Sequence, residues 1–259
     1  MKTKKLFKIR FFLRKIIHFK NHKFLNQILL YYPKLSKKFS ENLKYHNDML
    51  CKKYGATNFT FKYSNECFKR DLEIITNRFL DILSNDEIIF NEFDLKITLS
   101  SNPKVISEGL FTIHLHYKNE LLYSLSFVLL NDALLITALQ GNLNTKDEIK
   151  EFTKVYFGLR PLNFIIFFAF IFAEFLGINK VCGVKDRFLV SRFKRNRKRD
   201  GRVFVIPNYD EIWQENTKII KEEKSFYVLE YLQKDLEEIP SKKRSMYKKR
   251  FEFLKTIKL

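Results

Sequence analysis

Apolar positions along the first 83 residues recur at helical spacing rather than in alternation. In MKTKKLFKIRFFLRKIIHFK, Leu6, Ile9, Phe12, Leu13, Ile16 and Ile17 share one broad face of a helical wheel, while Lys4, Lys8, Arg14 and Lys15 lie largely opposite. Phe7 and Phe11 blur the division. Charges at Lys8, Arg10, Arg14 and Lys15 interrupt the apolar core a signal peptide requires. The stretch therefore reads as a basic amphipathic helix, suited either to an anionic membrane surface or to packing on the rest of the chain. Further helices are expected at 23–31, at 39–53 and at 66–83, the last through Leu72, Ile75, Phe79 and Ile82.

From about residue 88 the pattern changes to strands. FDLKITLS, GLFTIHLHYK, ELLYSLSFVLL and DALLITALQG are β-branched or aromatic runs parted by short polar breaks, which predicts an antiparallel meander. After Gly141 the helical period returns, with Thr145 as an N-cap and Asp147 and Glu148 in the first turn. Pro161 opens PLNFIIFFAFIFAEFLG, which Gly177 closes. Its uninterrupted apolar run, Phe164 to Ala173, is half the roughly 20 residues a bilayer crossing needs, so it is a core helix. KVCGV reads as a short buried strand, followed by a basic helix at about 187–199 and a strand RVFVI. A last helix follows Pro240, with Ser241 near its N-cap and Met246, Phe251 and Leu254 on its packed face. The fold class is α+β. A helical, basic segment (1–85) precedes a main domain (86–259) built on a mixed, mostly antiparallel sheet flanked by helices.

Charge sharpens the picture because it is local. Residues 1–40 carry 12 Lys+Arg and no acid, and residues 187–202 carry 8 against one Asp, which together account for the whole net charge of +19. Two basic patches sit on an otherwise neutral body, as expected for contact surfaces. The chain has only 13 Arg, and six of them (Arg187, Arg192, Arg195, Arg197, Arg199, Arg202) fall in the second patch. Arginine's planar fork binds phosphate or carboxylate bidentately, so this run is the candidate anion site.

Other chemistry is mostly excluded. There is no GxSxG, no P-loop, and too little Gly for a dinucleotide fingerprint. Cys51, Cys67 and Cys182 form no CxxC pair, which argues against zinc and disulfides and suits a reducing cytoplasm. His114 and His116 share a strand face without a nearby carboxylate, so no metal is expected.

Two resemblances follow. The order strand, strand, LQG turn, long helix ending AEFLGINK, strand VCGV over residues 121–184 is similar to that of acyl-CoA-dependent N-acetyltransferases, and implies a phosphate site near Gln140 and Gly141 with acyl-CoA as cofactor. ELLYSLSFVLL, ALQG, TKVYFGLRPLNFIIFFAFIFAEFLGINKVCGV, YDEIWQE and IPSKKRSMYKKRFEFL, collinear over about residues 108–255, resemble the bacterial VirK/YbjX family. That resemblance implies a protein associated with virulence, stress regulons and envelope robustness, including resistance to cationic antimicrobial peptides. Its landmarks here are Gln140, Gly141, Arg160, Pro161, Arg187, Tyr209, Asp210, Trp213, Glu215, Lys242, Lys243 and Arg244. The family attaches no catalytic role to them; Asp210 and Glu215 are the carboxylates available as a general base.

The expected partner is an anionic surface, first of all the inner leaflet of the inner membrane met from the cytoplasmic side. Nucleic acid is the alternative, gripped by arginines interleaved with Phe188, Phe193 and Phe204. Asp210 or Glu215 is expected to pair with an arginine of the 187–202 run or with Arg160.

Overall fold

The computed structural model describes residues 9, 12, 13, 16–40, 53–101, 107–193 and 207–259. Ile9, Phe12, Leu13, Ile16 and Ile17 are helical and lead into α1 (Phe19–Tyr31) and α2 (Pro33–Ser40). Most of the helix expected at 39–53 lies outside the described residues. α3 (Phe61–Arg78) starts five residues before the expected 66, because the Thr60 side chain accepts from the Tyr63 amide and caps it. It also ends earlier than 83. Phe79 is its C-cap, and Ile82, expected on the helix, is buried in the turn beyond.

The sheet has eight strands in the order β1-β2-β3-β4-β5-β6-β8-β7. The strands are β1 (Glu87–Glu92), β2 (Leu95–Ser101), β3 (Phe111–Tyr117), β4 (Glu120–Leu129), β5 (Ala133–Gly141), β6 (Lys180–Val184), β7 (Thr217–Glu222) and β8 (Phe226–Tyr231). The first five form an antiparallel meander, of which β2 to β5 are the four expected strands and β1 an added edge strand. Two of its hairpins turn through paired left-handed residues without glycine, at Phe93–Asp94 and Lys118–Asn119. After β5 the chain crosses through α4 (Lys146–Val155) and α5 (Pro161–Phe175) and returns as β6, parallel to β5. Thr145 is the N-cap of α4 by position, but its hydroxyl donates to the Asn142 carbonyl instead of capping the helix.

Gly177 closes α5 as expected. Its φ is +75°, its amide donates to Glu174, and the Ile178 amide donates to Ala173, the two bonds of a Schellman motif.

β7 and β8 were not legible in the sequence. β7 is an edge strand with mostly exposed Lys and Glu, so it carries little of the alternating apolar signal that marks half-buried strands. Of the basic helix expected at 187–199, a 3-10 turn (Asp186–Phe188) and one helical turn (Val190–Phe193) are described. Residues 194–206, including the strand RVFVI, lie outside the described residues.

Two further helices complete the chain, α6 (Tyr209–Asn216) and α7 (Ser241–Thr256), the latter with Pro240 as N-cap. α7 packs through Leu254, as expected, and through Phe253, whose ring contacts Tyr156, Phe164 and Phe93. One hydrophobic cluster runs through the molecule and includes Leu25, Ile28, Leu35 and Phe39 of the N-terminal helices alongside the sheet.

Candidate functional site

The parallel pairing of β5 with β6 runs only from Ala133↔Lys180 to Ile136↔Gly183. β5 continues to Gly141 while β6 ends at Val184, so the two strands part like a fork. Beyond the last pair, the backbone groups of β5 on that side lose their strand partner and need another.

α6 supplies it. The Tyr209 hydroxyl donates to the Leu139 carbonyl (3.0 Å) and accepts from the Leu139 amide (2.5 Å). On the other prong, Trp213 Nε1 donates to the Val184 carbonyl at 2.8 Å. Both rings are buried, and burial pushes the Tyr209 phenol well above its ordinary range. The indole lies against Gly183, where a Cβ would come within 2.5 Å of Trp213 Cε2; only glycine leaves room. The landmark YDEIWQE is therefore the wedge that closes the fork.

The mouth of the fork is organised by Asp186. Its Oδ1 accepts from Arg192 Nη2 in an ion pair and from the Tyr209 amide at 3.1 Å. Asp210 answers by accepting the Asp186 amide at 2.9 Å, and Asn208 caps α6 through the Asp210 amide. Among the described residues the expected latch takes another form: neither Asp210 nor Glu215 pairs with Arg187, Arg192 or Arg160, and the carboxylate that holds an arginine is Asp186, just ahead of the run. Arg195, Arg197, Arg199 and Arg202 lie outside the described residues. Asp210 bonds backbone, and Glu215 is exposed with no ion pair among the described residues.

Next to it Lys185 is buried, with Nζ donating to Glu222 Oε1 (2.6 Å) and the Glu223 carbonyl and lying 5.0 Å from the Tyr227 ring centroid. Nothing in local sequence singles out Lys185 or Asp186, because their partners come from other elements.

The remaining candidates divide. Arg187 is exposed, its guanidinium over the Phe188 ring. Arg195, Arg197 and Arg199 lie outside the described residues. Gln140 is exposed at the end of β5, and Gly141 lets the Tyr123 ring approach (3.0 Å from a Cβ to Cζ). The helix following Gln140–Gly141 opens with Asp147 and Glu148, carboxylates that oppose a phosphate at its N-terminus.

Arg160 is exposed as the N-cap of α5, with Pro161 first in the helix. Lys242 and Lys243 are exposed, whereas Arg244 turns back onto the Ile239 and Glu237 carbonyls at 2.9 and 3.1 Å. Arg250, not singled out in the sequence, donates twice to the Phe157 carbonyl (3.0 and 2.7 Å). Phe157 and Gly158 are both left-handed. Thus GLRP and the C-terminal landmark meet, with α7 clamping the turn before α5.

A second polar zone lies on the sheet. His114 Nδ1 is 2.8 Å from Ser124 Oγ and Nε2 is 2.7 Å from Ser100 Oγ, spanning β2, β3 and β4. Burial, with His116 beside it, lowers the His114 pKa to about 4. The sign follows: a histidine whose folded pKa is depressed contributes stability at pH above its ordinary 6.5, and that stability is lost as pH falls through about 4. The thermal midpoint of the native chain relative to that of His114→Gln is expected to drop over this window. A difference constant over the window would assign the pH dependence to other groups.

Among the described residues no cluster of three metal-ligating side chains occurs, and no helix is long and apolar enough to cross a membrane.

A family model described as "Protein of unknown function (DUF535)" matches residues 1–259. The chain belongs to this family. Within its range of relatives, an uncharacterized protein of Haemophilus influenzae is 35% identical over 167 residues, covering 62% of this chain and 54% of the relative. "Uncharacterized protein YbjX" of Escherichia coli is 28% identical over 111 residues, 42% of this chain and 33% of the relative. "Membrane protein LapB" of Mannheimia haemolytica is 30% identical over 99 residues, 37% and 44%. These matches bear out the resemblance to the VirK/YbjX family. The chain spans about half the length of the first of these curated relatives. No solved structure matches this chain.

Proposed function

We propose that this chain is an envelope-maintenance protein that docks on an anionic membrane surface. The observation carrying this reading is the exposed apolar face ahead of α1: among the described residues Ile9, Phe12, Leu13, Ile16 and Ile17 are each 48–72% exposed. A helix that merely packed on the domain would bury these positions. The segment holding them, residues 1–40, carries +12. Apolar side chains entering the acyl boundary beneath basic residues are the two halves of interfacial binding, the basic half contributing about 1 kcal/mol per charge near the surface. The printed name of one relative, "Membrane protein LapB", points the same way. Support for the envelope and antimicrobial-peptide resistance comes from the family resemblance.

Flotation with phosphatidylglycerol-containing and with wholly phosphatidylcholine vesicles tests the docking. Salt-sensitive binding to the anionic vesicles alone is expected. Phe12→Glu with Ile16→Glu is expected to weaken it at least tenfold, since losing one such side chain from the interface forfeits about 1.5–3 kcal/mol. Absence of binding by the native chain overturns the reading.

A second reading, acyl-CoA-dependent acyl transfer, draws on the parallel pair that parts within an otherwise antiparallel sheet, although the strand backbone so freed is already bonded. Tyr209 and Trp213 fill that space here. Isothermal titration with acetyl-CoA decides it, heat supporting the reading and its absence removing it.

A further inference from the structure

α5 is apolar nearly all round, and a helix of that kind needs cover on every side. The sheet side is met by Phe164, Ile165, Phe168, Ala169, Phe172 and Ala173, all buried. The opposite stripe, Phe167 and Ile171 at i and i+4, needs a third layer, and the exposed Glu174 at i+7 ends it.

α7 covers only part of that stripe. It is pinned at one end by Arg250 on the Phe157 carbonyl and by Phe253 against Phe164, and the tilted ring of Tyr231 meets Phe167 at 4.9 Å between centroids. What is left is an open groove of about 500 Å³ floored by Phe167, Ile171, Phe175, Tyr231, Phe251 and Leu254. That volume lies within the roughly 300–1,000 Å³ of small-molecule sites.

The polar residues on the groove are Gln233, Glu174, Lys255 and Lys258, and neither lysine has an ion-pair partner among the described residues. α7 itself carries seven Lys or Arg against one Glu. This charge selects the occupant. A second copy joined about a two-fold axis would set the basic face of α7 against itself, which like-charge repulsion disfavours. An anionic amphiphile satisfies both parts, its chain on the aromatic floor and its headgroup at the lysines.

We propose that this groove binds one acyl chain of an anionic phospholipid, with Lys255 and Lys258 at the headgroup. The proposal deepens the membrane reading by naming its lipid class, and rests on that reading for the source of the lipid. The groove is separate from the exposed helical face ahead of α1, so the two have separable tests.

Fluorescent lysophosphatidylglycerol, titrated below its micellar concentration into the full chain, is expected to bind saturably. Unlabelled lysophosphatidylglycerol is expected to compete at least tenfold better than lysophosphatidylcholine. Ile171→Trp, which fills a half-buried position, is expected to weaken probe binding at least tenfold and leave flotation on anionic vesicles unchanged. Phe12→Glu with Ile16→Glu is expected to do the reverse. Lys255→Glu with Lys258→Glu is expected to erase the headgroup preference.

Circular dichroism establishes that each variant is folded, with the emission of Trp213 as a second report in those that add no tryptophan; if Ile171→Trp does not fold, Phe251→Ser replaces it. No saturable binding, binding indifferent to the groove variants, or equal competition by both lysolipids overturns the proposal. So does a dimer in light scattering that Ile171→Trp dissolves, which would make the groove an interface between copies.

Discussion

Replacing Asp71 with alanine is expected to cost about 3–5 kcal/mol, among the largest losses any single substitution in this chain produces. Asp71 lies fully buried on α3 and ties that helix to the end of β4. Its Oδ1 accepts the Leu129 amide at 2.6 Å and its Oδ2 accepts the Tyr54 hydroxyl, which itself accepts the Leu110 amide at 2.9 Å. Arg70 reinforces the tie through the Leu129 carbonyl and Asn131. Alanine would strand two buried donors at about 1–3 kcal/mol each and leave a void besides.

Asp71→Asn is expected to lose less. It still offers an acceptor to Leu129, but presents an N–H to a Tyr54 oxygen that already accepts from Leu110. The pH dependence separates charge from shape. Burial raises the Asp71 pKa well above 3.8, and the bonds from Tyr54 and Leu129 only partly oppose it. The folded state therefore holds the proton to higher pH than the unfolded chain. The corresponding stability is complete below about pH 4 and is lost as pH rises through the folded pKa. Denaturant midpoints measured from pH 4 upward in both proteins should show this contribution as a native-minus-Asp71→Asn difference that shrinks as pH rises. An Asp71→Ala protein as stable as the native one would mean that the tie is not made.

The second large effect lies in the fork. Trp213→Ala is expected to cost about 3–5 kcal/mol, because it empties a fully buried site and leaves the Val184 carbonyl unpaired. Gly183→Ala attacks the same contact from the other side. Its new methyl would sit 2.5 Å from an indole held in place by its own hydrogen bond, and overpacking of this kind costs about 1–3 kcal/mol. If the clash is the cause, the double variant Gly183→Ala, Trp213→Ala should lose less than the sum of the two. Trp213 is the chain's only tryptophan, so its emission reports this site directly in the single Gly183 variant, and circular dichroism follows the others. Additive losses would indicate that Gly183 and Trp213 act separately.

The comparison of sequence with structure follows the range of each interaction. The meander of β2 to β5 was readable because its runs alternate and its breaks are short. The core helix was readable because Pro161 and Gly177 bracket an apolar run. β7 was not, since an edge strand that faces water on its rim has little apolar pattern to show. The end of α3 was misplaced because Ile82 continues the apolar period after the backbone has left the helix.

The candidate site divides along the same line. YDEIWQE and the arginine run stood out by composition, but Asp186, the acid that pairs with Arg192, was not among the carboxylates expected to hold an arginine. Asp186 acquires its role only when α6 folds back over β6, across a separation that no local period records.

By itself, then, the sequence determined the fold class, the meander, the core helix, the two basic patches and the family landmarks. All of these are written in neighbours a few residues apart, where periodicity and charge density act directly. Only the tertiary structure decided that Tyr209 and Trp213 wedge a parallel pair apart, that Asp186 latches the mouth, and that Asp71 ties α3 to β4. Each of these depends on which buried backbone group is left without a strand partner, and that is settled when the strands pair.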